Sequence, residues 1–86
     1  MYFMMICTWE PKDEREVRSK MANWEWPKEI KKVVYGFQDL QGRRTIWVVE
    51  SDAVGLIATR AAWIDLLNFE IFPVYPLGET KELLKK

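Results

Sequence analysis

The chain has no histidine and a single cysteine, Cys7, among its 86 residues. Without an imidazole there is no serine or cysteine dyad with histidine, no histidine-bound zinc and no proximal histidine for a haem. One cysteine rules out an internal disulfide and a thiolate cluster, and a reducing, cytoplasmic setting is the expectation. Glycine is sparse as well: the four, at 36, 42, 55 and 78, never approach G-x-G-x-x-G or P-loop spacing. Charge of one sign is not in excess either. Thirteen basic and thirteen acidic residues cancel, so no whole-molecule field draws the chain to nucleic acid or to an anionic membrane. The apolar opening "MYFMMICTW" is far shorter than a membrane span and lacks a basic flank and a small-residue cleavage site, so it reads as a strand. No cofactor and no metal site is implied.

What the chain does have is large apolar side chains. It is 49% hydrophobic and 14% aromatic, with five tryptophans, which is the composition of a folded protein. No repeat or low-complexity tract divides it, so residues 1–86 are expected to form one domain. A core of this size is marginal alone, and burial against a second subunit would matter.

Residues 2–9 are apolar on both alternating faces, with Tyr2, Met4, Ile6 and Thr8 on one and Phe3, Met5, Cys7 and Trp9 on the other. A strand of that kind is buried on both sides. "EPKDEREVRSKMANWEWP" sets Val17, Met21 and Trp24 at helical spacing, with Pro11, Asp13 and Glu14 near the start and Pro27 beyond the end. Glu14–Arg18 and Glu16–Lys20 are possible pairs four residues apart. Residues 30–40 and 43–50, separated by Gln41-Gly42, predict a hairpin. A second helix is expected over 52–67, with Ser51 or Asp52 as its N-cap. It carries two apolar stripes, Val54, Ile57, Ala58, Ala61 and Asp65 on one and Leu56, Trp63 and Leu67 on the other, so it should touch more than one neighbour. Asn68 is expected to end it as a left-handed cap, and "FEIFPVY" supplies a last strand whose Pro73 suits a sheet edge. A short tail helix is expected near 80–85.

The order βαββαβ specifies an α+β, ferredoxin-like fold, a four-stranded antiparallel sheet with two helices on one face. Strands 1 and 3 would be central. The uncovered face would carry several of Phe3, Met5, Trp9, Trp47, Val49 and Phe72, an apolar patch of the size that marks an interface or a binding surface.

The segment Trp63–Val74, "WIDLLNFEIFPV", with "VESDAVGL" before it, is similar to a family of short prokaryotic proteins of unknown function, and the whole arrangement resembles the dimeric α+β barrel group. In that group two sheets face each other around a shared core or cavity. The resemblance implies this fold and a homodimer; it brings no established activity. RNA-recognition domains share the βαββαβ order, but "RRTIWVVE" on the third strand is a poor match to their glycine–aromatic signature.

Glu50, at the end of the third strand, and Glu70, at the start of the fourth, are the candidate catalytic residues, because a carboxylate at the rim of an aromatic pocket is what cofactor-free proton transfer needs. Any enzyme here would be of that kind, or monooxygenase-like. The same glutamates bear a plainer reading, pairing with Arg43, Arg44 or Arg60. Trp9, Tyr35, Trp47, Trp63 and Asp65 are the candidate ligand-binding residues, the aromatics as pocket wall or core filling and Asp65 as a pocket group or a local cap. Cys7 reads as a small hydrophobe. The expected function is a homodimer holding a small apolar or aromatic molecule at the sheet face. The alternative is an interaction or regulatory module whose sheet face is filled by dimer packing.

Overall fold

In the computed structural model, which describes residues 1–80, the strand predicted to be buried on both faces is the pivot of the sheet. It is buried on one face only, at Met5 and Cys7, with Tyr2, Met4, Ile6 and Thr8 partly exposed on the other. Strand β1 (Tyr2–Thr8) is flanked by β3 (Arg44–Ser51) and β4 (Asn68–Val74), and β2 (Ile30–Gln38) pairs with β3. All pairs are antiparallel and the order is β2-β3-β1-β4. With helices α1 (Glu14–Ala22) and α2 (Ala53–Trp63) this is the ferredoxin-like βαββαβ fold. The edge strands are those carrying Lys31, Lys32 and Gly36 on β2 and Pro73 on β4, residues that blunt an edge. No described helix is long and apolar enough to cross a membrane.

Both helices lie on the face that carries Phe3, Met5, Cys7 and Trp9. Met5, Cys7 and Val49 are buried with Ile30 and with Leu56 of α2, while Trp9 is buried with Val17 of α1 and Trp63 of α2. Leu67 and Phe69 touch both groups and join them. The expected face assignment is therefore reversed for Phe3, Met5, Trp9, Trp47 and Val49, which sit under the helices; of that set only Phe72, opposite Met4, is on the uncovered face. Because side chains alternate with period two, choosing the wrong parity moves every residue to the other face, and a strand apolar on both sides offers no local signal of parity.

α1 is shorter than its periodicity suggests. A 3₁₀ turn over Pro11–Asp13 leads into it, and it stops at Ala22, so Trp24 and Trp26 fall in the connection to β2. Trp26 precedes Pro27, which disfavours helical backbone there, and both rings turn back onto the core. Of the two expected ion pairs, Arg18–Glu14 forms at 2.8 Å. Lys20 instead donates to the carbonyl of Ala62 and lies 4.8 Å from the centroid of the Trp63 ring, tying α1 to α2.

The hairpin tip is organised by Asp39, whose carboxylate accepts from the Gln41 N–H at 2.9 Å and from Arg44 at 2.7 Å. The Gln41 hydrogen bond, followed by the charge of Arg44, holds the Asp39 carboxyl below its usual range. Gly42 and Arg43 then take positive φ, 83° and 55°, to close the turn.

Asp52 caps α2, accepting from the Gly55 N–H at 3.1 Å. Leu56, Thr59 and Trp63 are buried, whereas of the stripe Val54, Ile57, Ala58, Ala61 and Asp65 only Ala58 is partly buried and the rest are exposed. The helix ends at Trp63, not at 67: the N–H groups of Leu66 and Leu67 both bond to its carbonyl, making a turn that delivers Asn68 as the first residue of β4. Asn68 is no left-handed cap, since among the described residues Arg43 is the only non-glycine with positive φ. A 3₁₀ turn over Leu77–Thr80 closes the described chain, and the tail helix expected near 80–85 falls, past Thr80, outside the described residues.

Candidate functional site

On the helix side of the sheet, aromatic rings form a continuous chain of edge contacts. Trp63 meets Trp24 at 5.5 Å, Trp24 meets Trp26 at 5.8 Å and Trp26 meets Trp47 at 5.1 Å. Trp47 donates through Nε1 to the Thr45 hydroxyl at 2.9 Å, and Trp9 donates to Glu14 at 2.7 Å. That bond and the Arg18 guanidinium, the larger influence, hold the Glu14 carboxyl below its ordinary value of 4.5. The space between these rings is about 30 Å³, bordered by Met5, Cys7, Thr45 and Thr59. That is room for about two waters and no organic ligand.

Cys7 lies in this apolar layer at 3% exposure, where burial pushes its thiol from 9.0 up to about 11, against a smaller lowering by Thr45. A shift of that size leaves about 100-fold less thiolate at neutral pH than a free thiol, before steric shielding is counted. Native protein is therefore expected to resist a thiol-labelling reagent by at least that factor relative to urea-unfolded protein. Comparable labelling rates in the two states would contradict the placement of Cys7 in the core.

The other face of the sheet has no helix over it. In register it carries Tyr2, Met4 and Ile6 of β1, Ile46, Val48 and Glu50 of β3, Tyr35 and Phe37 of β2, and Glu70, Phe72 and Val74 of β4. Tyr35 and Phe37 stack at 5.8 Å and are 58% and 59% exposed, so a large aromatic surface stands in water on an edge strand. At one end of the face an open groove of about 340 Å³ is walled by Tyr2, Tyr35 and Tyr75 and floored by Val34, Val48 and Val74.

The candidate residues thus separate into three places. Trp9, Trp47 and Trp63 belong to the helix-side core. Tyr35, Glu50 and Glu70 stand on the uncovered face, and Asp65 is exposed in the turn after α2, beside Leu66 in an open, mostly polar surface depression of about 500 Å³ shared with α1. Tyr35 shares no pocket with Trp9 or Trp47, because adjacent residues on paired strands face opposite ways: Gly36, not Tyr35, is the register partner of Trp47. Glu50 and Glu70 are not a carboxylate pair within one copy. Glu50 stands opposite Tyr2 and Glu70 opposite Ile6, two strands and four register steps apart, which is about 16 Å at ordinary strand spacings. Neither has an ion pair or hydrogen bond among the described residues; Arg44 is taken by Asp39.

Sequence reasoning missed Tyr2 and Tyr75 as groove residues. The alternation Tyr2, Met4, Ile6 was visible in the strand, but only the pairing of Tyr2 with Glu50 and Val74 reveals which groups it joins.

A family described as a domain of unknown function, DUF3303, matches residues 1–86, the first half of the chain as well as the second. No curated protein and no solved structure matches.

Proposed function

The chain belongs to this family of domains of unknown function, and on that footing we propose that it is a homodimer whose uncovered sheet faces pack together and leave a pocket for a small apolar or aromatic molecule. The observation that carries the reading is the uncovered face itself, with Tyr35, Phe37 and Phe72 exposed to water on one contiguous surface. A surface of that kind is unusual on a soluble monomer. Four strands about 4.8 Å apart and seven residues at about 3.3 Å per residue give the face a projected area of roughly 440 Å². Two facing copies cover about twice that before corrugation is counted, close to the lower bound of roughly 1,000 Å² for a specific interface. The groove at the tyrosine end is the place where packing is incomplete.

Light scattering on a sizing column, paired with native mass spectrometry, tests the reading. The expected wild-type result is a dimer at micromolar concentration. Ile46 is on the uncovered face away from the groove, opposite Ile6 and Phe37. Ile46→Lys should leave the far-ultraviolet circular dichroism unchanged and weaken the dimer by at least about 100-fold, because an unpaired ammonium would have to leave water. A wild-type monomer, or a dimer indifferent to Ile46→Lys, would refute this assembly.

A further inference from the structure

Resting on the pocket reading above, we propose that the ligand of the groove carries a cationic head, an alkylated or aromatic ammonium, held against Tyr2, Tyr35 and Tyr75 with Glu50 as its counter-charge. Three parts of the chain far apart in sequence, β1, β2 and the segment after β4, each place one tyrosine on this groove. Aromatic faces present negative quadrupole density, and several converging on one site attract a cation more strongly than a neutral group of the same shape. Glu50 does not line the groove itself but sets a carboxylate next to it, as the register partner of Tyr2 and two residues from Val48 on the same side of β3.

Among the described residues no cation pairs with this carboxylate. Glu50 is half-buried and has no ion pair or hydrogen bond among the described residues. Lys32, its register partner on β2, keeps its ammonium beyond ion-pair distance and is exposed. Arg44, a further described cation on this face, lies six register steps away along β1 and is engaged by Asp39. An anionic ligand would meet Glu50 directly. A neutral aromatic would fill the groove but leave the carboxylate desolvated without a partner, an arrangement that costs free energy. A soft organic cation satisfies both the rings and the carboxylate.

The probe is choline, compared with its uncharged carbon isostere 3,3-dimethylbutan-1-ol, each titrated into the protein and followed by amide chemical shifts at β1, β2 and β3. Choline is expected to bind at least tenfold more tightly than the isostere and to weaken as salt is raised. Glu50→Gln, which removes the charge while keeping the shape, should lose about tenfold for choline and leave the isostere unchanged. Lys32→Met, which removes a competing cation, should strengthen choline severalfold. Equal binding of choline and the isostere would overturn the cationic head and leave the apolar pocket standing. Binding of neither at 10 mM, by a protein that is a dimer, would overturn both the cationic head and the ligand pocket.

Discussion

Trp63→Ala lowers the unfolding free energy by about 4 kcal/mol, the scale of truncating a buried tryptophan, which is a large part of the roughly 5–15 kcal/mol available to a small protein. Trp63 is 4% exposed and is the point where α1, α2 and the Trp24 segment meet, through Val17, Lys20 and the edge of the Trp24 ring. The alanine leaves a void that two helices and a connection would have to collapse around, and it strips Lys20 of its ring contact. Urea unfolding at fixed protein concentration measures the effect, with the midpoint falling and the slope unchanged. Trp63→Phe should retain more than half of the stability that alanine loses. A loss below about 1 kcal/mol for the alanine variant would mean that this ring is no anchor of the core.

Gly36→Ala has the second large effect, and its sign depends on the background. A Cβ at this position would lie 2.4 Å from one carbon of the Trp47 ring and 2.7 Å from the next, far inside contact distance. The ring crosses β3 to β2 at a point where only glycine leaves space. It cannot swing away freely, because Nε1 is bonded to Thr45 and the ring packs in a T-shaped contact with Trp26. Alanine should therefore cost about 2 kcal/mol, the usual range for overpacking. In a Trp47→Leu background the clash disappears, and the same substitution should become neutral or stabilise by up to about 1 kcal/mol, because glycine within a strand carries an entropic cost. A double-mutant cycle reads the coupling directly. Additive effects would show that the glycine is not there for the ring.

Gly36 and Trp47 also show what could be read from the chain. Each residue had a local signal: glycine on a strand marks an edge or a close approach, and a tryptophan in an apolar run marks a core. Their contact had none, since it depends on the register of β2 against β3, which shifts between Ile30 and Lys32 and again between Val33 and Tyr35. Those irregularities bring Tyr35 to the uncovered face and put Gly36 beneath the indole. The candidate site suffered for the same reason. Tyr35, Glu50 and Glu70, legible by residue type alone, do lie on the uncovered face, whereas Trp9 and Trp47 belong to the opposite side. The helix ends were misread because Trp24 and Leu67 have the spacing of helix residues but gain more by packing onto the core from turns.

By itself the sequence determined the order of elements, the central place of β1, the edge positions of β2 and β4, and the absence of any histidine-based chemistry. These follow from local properties: hydrophobic period, residues that tolerate an edge, and side chains that are simply not there. Only the tertiary structure decided which face of β1 lies beneath the helices, that four tryptophans form one chain of edge contacts, and that three tyrosines meet in one groove. Those are matters of register and parity between strands distant in the chain, and a strand apolar on both faces leaves that choice to the packing of the whole molecule.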